Sequence, residues 1–336
     1  PKKKVFTWFE IELTENELLK MNFALWVDFP DFDGDGDNYL EDYYWVDIAN
    51  VSDVPVYFFQ STTDAYEGSS WWCADGDIGG YSDAWVQFLQ TPTIAVPADG
   101  ATLSAMMKWA IEDYAGASVT GTCTDGWDAA NVRISADNGS TWELLSDPNL
   151  PYDFDCGYGW IFNDGEYDTG GSLNQVAAGW GGTSPGLGAN ANFVDFSADL
   201  SAYAGQDVII RFAFGSDPAY STFDQTDMTG FQVDNIVIED ATGVVYSDDC
   251  DGSINSQEMT PSGEVWESMF YDYCDATRPG GSGVWEEYVP GLAFNGNALH
   301  DISHLAGKEI LVRFTSRYDG DDDGGSGQGL FIDDFM

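Results

Sequence analysis

Residues 199–212 read Asp199-Leu-Ser-Ala-Tyr-Ala-Gly205-Gln-Asp-Val-Ile-Ile-Arg211-Phe212, and the pattern returns as Asp301-Ile-Ser-His-Leu-Ala-Gly307-Lys-Glu-Ile-Leu-Val-Arg313-Phe314. The offset is 102 throughout, six of the 14 positions are identical, and most others exchange like for like. Self-similarity of this kind marks a repeated structural unit. A weaker third copy stands near the start, at Leu18-Leu-Lys-Met-Asn-Phe23. Val208, Ile210, Phe212 and Phe214 fall on one face of a two-residue period, with Ile209, Arg211 and Ala213 on the other. Ile310, Val312 and Phe314 repeat the alternation, as do Leu19, Met21, Phe23 and Leu25. A period of two in β-branched and aromatic residues is that of a half-buried strand.

Each copy is followed by an acidic loop and a second strand signature: Tyr44-Trp-Val-Asp47-Ile, Phe231-Gln-Val-Asp234-Asn-Ile and Leu330-Phe-Ile-Asp333-Asp-Phe. The separations from Phe to the signature Asp are 24 (23 to 47), 22 (212 to 234) and 19 (314 to 333) residues. The unit is strand, acidic loop, strand. Glycine and proline punctuate short runs and no long amphipathic helix is present; residues 14–20 and 298–306 suit single turns. The pattern predicts an all-β protein of antiparallel sandwich repeats. One repeat is complete, at residues 53–240, and adds strands near Trp85–Phe88, Leu103–Trp109, Asn131–Ser135 and Thr141–Leu145. Residues 241–336 form a shortened repeat that lacks the stretch matching Trp85 to Ser135, and residues 1–52 hold only the end of one. Three arrangements are open to these half-copies: they complete each other, they dock on the middle repeat, or they need another chain, since an unpaired edge strand invites association.

At 43% hydrophobic and 15% aromatic, the 336 residues can build packed cores. Eleven Lys and Arg against 58 Asp and Glu give a net charge of −47. A nucleic-acid binder needs basic patches to displace counterions, so that class is excluded, and docking on anionic lipid is disfavoured. No apolar run approaches the roughly 18–20 residues that span a bilayer. The chain opens at Pro1 without Met and stops at Phe335-Met336 after a strand-like run, which reads as a mature or trimmed piece of a longer secreted protein. Lys2, Lys3 and Lys4 read as a solvated end. So large a charge must be screened or chelated. A salty habitat is one explanation. Calcium, which takes six to eight oxygen ligands, is the other, and the clustering of the acids in loops favours it.

Trp71-Trp-Cys-Ala-Asp-Gly-Asp with Trp85-Val-Gln-Phe-Leu-Gln-Thr91-Pro92 resembles the opening of MAM-like jelly-roll modules. Asp199-Leu-Ser with Ala-Gly205, Arg211-Phe212 and Gly230-Phe-Gln-Val-Asp234-Asn-Ile resembles their closing strands. The modules most similar in flavour follow the catalytic domain in immune-inhibitor-A-type bacterial metalloproteases and occur in bacterial surface proteins. The resemblance covers 54–240 well and the flanks in part. It implies an extracellular or cell-surface location, two packed antiparallel sheets and structural calcium.

The candidate metal ligands lie in three sets. Asp31, Asp33, Asp35, Asp37 and Asp42, with Gly36 at position 6, occupy the spacing of a calcium loop, without the helices of an EF-hand, and Asp47 follows them. Asp217, Asp224, Asp227 and Asp234 form the middle set, in which Asp234 suits a hydrogen bond to backbone equally well. Asp319, Asp321 and Asp323 keep the early loop positions in the last copy, with Asp333 or Asp334 to close them.

Other motifs read as structural. Ser135-Ala-Asp137-Asn-Gly139-Ser-Thr-Trp142 resembles an Asp-box, whose turn needs positive φ angles. Asn138-Gly-Ser140 and Asn50-Val-Ser52 fit the glycosylation pattern. His300 and His304 are spaced for a metal on a helix, but no Glu follows His300. Gly182-Thr-Ser184-Pro-Gly186 fits a nucleophile elbow on paper, yet Pro185 opposes the helix that must follow. Trp71, Trp72, Trp180 and Trp285 suit core packing first and sugar stacking second. Five cysteines in a secreted chain suggest disulfides with one left over. Cys73 and Cys156 stand where Cys250 and Cys274 stand in their copy, so the repeat predicts bridges Cys73–Cys156 and Cys250–Cys274; Cys123–Cys156 is the rival.

The expectation is a non-catalytic, secreted or cell-surface, calcium-binding β-sandwich protein for adhesion or extracellular assembly. Its partners would be itself, end to end through the incomplete repeats, or another extracellular protein, and a glycan is a further possibility. The alternative is an accessory substrate- or glycan-binding region of a secreted metalloprotease.

Overall fold

The structure, a computed structural model, describes residues 3–13, 21, 23–28, 43–52, 54–117, 124–163, 177–251, 258–271, 285–287, 302–318 and 329–333. The first segment carries β1 (Lys3–Glu12), β2 (Ala24–Asp28) and β3 (Tyr43–Asn50). Next come β4 (Phe58–Ser61), β5 (Ser70–Cys73), β6 (Trp85–Gln90), β7 (Ile94–Ala95), β8 (Thr102–Ala110), β9 (Asp125–Gly126), β10 (Ala129–Ser135), β11 (Glu143–Leu144) and β12 (Cys156–Gly157). A short helix α1 (Tyr158–Asn163) precedes β13 (Val194–Asp199), β14 (Asp207–Gly215), β15 (Gly230–Asp240) and β16 (Gly243–Asp248). The last segment holds β17 (Thr260–Val265), β18 (Glu267–Tyr271), β19 (Trp285–Glu287), β20 (Glu309–Tyr318) and β21 (Gly329–Asp333). The chain is all-β, as its periodicity requires. Among the described residues no helix is long and apolar enough to cross a membrane.

The 102-residue offset survives into backbone geometry. Short 3-10 turns at Ser201–Tyr203 and Ser303–Leu305 are each followed by a glycine at φ +75°, Gly205 and Gly307. That left-handed conformation is open to glycine without a Cβ penalty. It turns the chain into β14 and β20, whose starts at Asp207 and Glu309 keep the same offset.

The middle sandwich packs a sheet ordered β11-β10-β14-β6-β17 on one ordered β13-β8-β15-β5-β4. Leu89, Val132, Ile210 and Phe212 from the first meet Leu103, Met107, Phe231 and Val233 from the second in one buried core. Side chains on the outer face of the first sheet are covered too. Arg211 lies 3.7 Å from the Trp142 ring centroid and 4.0 Å from that of Phe88, and Arg133 lies 4.3 Å from Trp160.

The two half-copies complete each other. β20 lies between β1 and β3, all antiparallel, and β18 extends the sheet beyond β3. The facing sheet is β19-β2-β21, and Met21, Phe23, Val46, Ile48, Ile310, Val312 and Phe314 fill the space between. A boundary at residue 241 is therefore not where the sheets divide. β16 pairs with β15 and β17 with β6, so the middle sandwich keeps the chain as far as Val265. Sequence likeness marks the repeat, whereas backbone pairing decides which sheet a strand joins. Trp266 alone separates β17 from β18, and it packs with Ala49 and Ala84 where the two sandwiches meet.

The expected disulfide framework is corrected. Cys73 and Cys250 are buried free thiols, while Cys156 is disulfide-bonded, so neither Cys73–Cys156 nor Cys250–Cys274 forms. Cys73 is committed to the core on β5. Cys156 pairs through β12 with Asp125 on β9, beside the segment that carries the rival partner Cys123. Cys123 and Cys274 lie outside the described residues. Burial pushes both free thiols up, Cys250 to about 12, which leaves almost no reactive thiolate at neutral pH. Alkylation of the native chain is expected to label neither, and alkylation in denaturant without reductant to label Cys73 and Cys250 but not Cys156. Mass mapping checks this, and label on unreduced Cys156 would contradict it.

Candidate metal centre

Strand register gathers four carboxylates at one end of the middle sandwich. In the first sheet Ala129 of β10 faces Gly215 of β14, and Gly215 faces Val86 of β6. Asp128 immediately precedes β10, Asp217 lies two residues past β14, and Asp83 lies two residues before β6. Because these strands are antiparallel, one entry and one exit alternate at the same edge, and all three acids arrive together. The fourth comes from the facing sheet: β8 ends at Ala110, and Glu112 lies two residues on. Loop hydrogen bonds fix the ends. The Ala84 amide donates to the Asp217 carbonyl (2.7 Å), and the Gly182 amide donates to the Glu112 carbonyl (2.8 Å).

The side chains are held in turn. The Asp217 amide donates to Asp128 Oδ1 (2.8 Å) and the Ala219 amide to Asp217 Oδ1 (2.9 Å). Tyr81, fully buried, accepts from the Glu112 amide (2.9 Å) through its hydroxyl and donates that hydroxyl to Asp128 Oδ2. One carboxylate oxygen each from Glu112, Asp128 and Asp217 lies within 4.8 Å of the others. The cluster joins the two sheets of the sandwich at its open end.

Its electrostatics are unfavourable as they stand. Burial lifts the Glu112 carboxyl to about 11, with the charges of Asp128, Asp217 and Asp83 adding to it. Burial lifts Asp128 to about 7 against the hydrogen bonds from Tyr81 and the Asp217 amide. It raises Asp217 well above the carboxylate range, and the charge of Asp128 adds to this. Asp83 is raised by burial as well, with the Ser221 hydroxyl beside it pulling the other way. Among the described residues no lysine or arginine pairs with any of the four. Glu112 Oε2 and Asp83 Oδ1 are buried without a hydrogen-bond partner. Like charges this close cannot all ionise unaided. Protons or a cation must neutralise them. All the donors are oxygen, the ligand type of hard ions such as calcium rather than of zinc or copper.

The sequence-derived ligands disperse, and of them only Asp217 joins the cluster. Asp224 is exposed, accepts from the Ser221 amide (3.1 Å) and stands at the margin, where its charge acts on Asp83. Asp227 is exposed and lines a neighbouring cleft with Asp113 and Tyr220. Asp234 lies four residues along β15 from Gly230, roughly 13 Å at strand spacing, and serves the backbone instead. It accepts from Ser70 Oγ (2.8 Å) and from the amides of Glu67 (3.2 Å) and Asn235 (2.7 Å). Asp47 is spent on a buried ion pair: its Oδ2 accepts from Arg313 Nε (3.0 Å) and Nη2 (2.8 Å). Asp333 is exposed at the end of β21. Asp31, Asp33, Asp35, Asp37, Asp42, Asp319, Asp321 and Asp323 lie outside the described residues, as does His300.

Glu112, Asp128, Asp83 and Tyr81 were not picked out by sequence pattern. For the three acids the only signal is a carboxylate within two residues of a strand end, and Tyr81 has none. A calcium-loop spacing joins neighbours in one loop and cannot join residues that meet only through sheet register. Two other motifs are tied down by hydrogen bonds within the fold. Ser184 is buried and donates Oγ to the Asn192 carbonyl (2.7 Å) with no helix after it. The Asp137 carboxylate accepts from Ser135 Oγ (2.8 Å) and Thr141 Oγ1 (2.6 Å) in its turn, with Trp142 Nε1 donating to the Gly139 carbonyl (3.1 Å).

No protein-family profile matches the chain, and no curated protein resembles it closely enough to count as a relative.

Two outcomes follow from the charges. An acid whose folded pKa is raised binds its proton more tightly in the folded state, so stability falls as pH rises from the unfolded value through the folded one. In chelator, Tm is expected to fall between pH 5 and pH 8, driven by Asp128 and its neighbours. Calcium is expected to abolish most of the fall, because it replaces the protons. A chelated Tm that is flat or rising over this window would contradict the cluster's electrostatics. Asp47→Ala breaks the buried pair with Arg313 and is expected to cost about 3–5 kcal/mol, equally with and without calcium. A loss seen only in calcium would return Asp47 to the metal ligands.

Proposed function

We propose that the chain is a non-catalytic, secreted or cell-surface β-sandwich protein, stabilised by calcium, that works by binding other extracellular molecules in adhesion or assembly. Four features support this reading: the all-β repeats, the net charge of −47, the MAM-like pattern at 54–240, and the acid cluster between the sheets. The observation that carries it is the set Glu112, Asp128 and Asp217. Three carboxylates converge from both sheets, with Glu112 Oε2 buried and unpartnered among them. On this reading the carboxylates of all three would hold the ion and Asp83 would add charge behind them. The ion would clamp β8 of one sheet to β10 and β14 of the other. It would also hold the start of the 217–228 loop.

The pairing of β1 and β3 with β20 removes one route to self-assembly, since the half-copies find their missing strands within the chain. The partner on the proposed reading is another extracellular protein, or a second copy of the chain joined through a surface other than these strands.

Melting in calcium and in chelator, with the wild type and Asp217→Asn, tests the reading. Calcium at 100-fold over its Kd stabilises by about 2.7 kcal/mol, or roughly 5–10 °C for a domain of this size. Asp217→Asn is expected to lose that increment and to melt no lower than wild type in chelator, because it removes a repelling charge. An increment that survives Asp217→Asn would place the ion elsewhere, and no increment in wild type would remove calcium from the reading.

A further inference from the structure

A groove of about 430 Å³ opens beside Trp266, where the two sandwiches meet, with Pro218 and Phe223 of the 217–228 loop in its lining. Tyr57, Trp85, Phe223 and Trp266 give it aromatic walls, and Asp75 and Asp83 give it two carboxylates. Tyr57 stacks on Trp85, with ring centroids 3.7 Å apart and planes 7° from parallel. Phe223 is 69% exposed, the most exposed of the large apolar side chains described. A phenylalanine held that far into water on an ordered loop has little to gain from the fold itself. Asp75 is close enough for its charge to act on Tyr57, and Asp83 Oδ1 is buried without a partner. Among the described residues no lysine or arginine lines the groove.

The chain shows elsewhere what such a lining accepts. Each arginine whose side chain is described lies on an aromatic ring: Arg133 on Trp160, Arg211 on Phe88 and Trp142, Arg313 on Trp266. Arg313 completes the pattern, with its guanidinium 3.7 Å from the Trp266 ring centroid and hydrogen-bonded to the Asp47 carboxylate. Aromatic face plus carboxylate is the chemistry that holds a cationic side chain. In the groove Tyr57, Trp85 and Phe223 stand with Asp75 and Asp83, and Arg313 is already engaged with Trp266 and Asp47. With 11 basic residues against 58 acidic ones, the chain has few to offer. The volume falls in the range of roughly 300–1,000 Å³ typical of ligand clefts.

We propose that this groove takes a lysine or arginine side chain presented by a protein partner. The proposal deepens the binding reading above and rests on it only in taking the chain to bind a macromolecule; Asp83 and the 217–228 loop also adjoin the proposed calcium site, so the titration is run with calcium present.

The test is calorimetric titration of the full chain, in calcium and about 150 mM salt to screen its diffuse field. The probes are a hexapeptide of Gly and Ser with one central Arg, the same peptide with citrulline, and a mixed oligosaccharide pool. The Arg peptide is expected to bind at least tenfold more tightly than its citrulline counterpart. Phe223→Ala leaves net charge unchanged and is expected to weaken the Arg peptide at least fivefold, as is Asp75→Asn. The melting response to calcium, measured on the same samples, is expected to be unaltered in Phe223→Ala. That response separates this groove from the calcium site, so either can fail alone. Binding that ignores Phe223→Ala would reduce the effect to non-specific attraction and overturn the proposal. So would the absence of peptide binding, or an oligosaccharide whose binding depends on Phe223.

Discussion

Carboxylates crowded into a buried site repel one another, and the middle sandwich is built so that they cannot move apart. Asp128, Asp217 and Asp83 are attached to the ends of β10, β14 and β6, whose register is fixed by their backbone ladders. Glu112 is attached to the end of β8, whose register is fixed in the other sheet. Separating the charges would mean slipping a strand, and a slip by one residue would turn its core face outward. The hydrophobic core therefore imposes the electrostatic cost, and the cost must be met by protons or by a cation. Calcium, on the proposed reading, converts this repulsion into a link between the sheets.

The same separation of roles explains what was legible in the sequence. Local features were readable because each is decided within a few residues. The alternation Val208, Ile210, Phe212 and Phe214 is a core face, and Gly205 and Gly307 sit at the same φ because both copies make the same turn. Features that depend on which strand lies beside which were not. Asp47, Asp234 and Asp333 occupy one position of a repeated signature yet end in three environments: paired to Arg313, bonded to Ser70 and the Glu67 amide, and exposed on an edge. An aspartate in that signature is a fixed point of the repeat, and its partner depends on the sheet around it. Asp128 and Glu112 are the converse, distant in sequence and joined only by pairing. The cysteines follow the same logic, since equivalent places in two copies do not put Cys73 beside Cys156.

Interleaving of the two sandwiches has its own physical basis. Residues 1–52 contain too few strands to bury a face, and so does the segment after 266. β20 needs a neighbour on each side, and β1 and β3 supply both. The middle sandwich is thus inserted between β3 and β18, and β17 and β18 are nearly continuous, with Trp266 at the joint. That tryptophan links three features: the packing of Ala49 on Ala84, the stacking on Arg313, and one wall of the junction groove. The groove is lined by residues of the middle sandwich and by Trp266 at the joint, so its shape depends on how that tryptophan is held as well as on the 217–228 loop.

A crystal structure grown in calcium addresses the acid cluster without intermediaries. The proposed reading expects an ion within about 2.3–2.6 Å of Glu112 Oε2 and of carboxylate oxygens from Asp128 and Asp217. Carboxyls hydrogen-bonded to one another through retained protons in that position, with calcium bound only elsewhere on the chain, would contradict it.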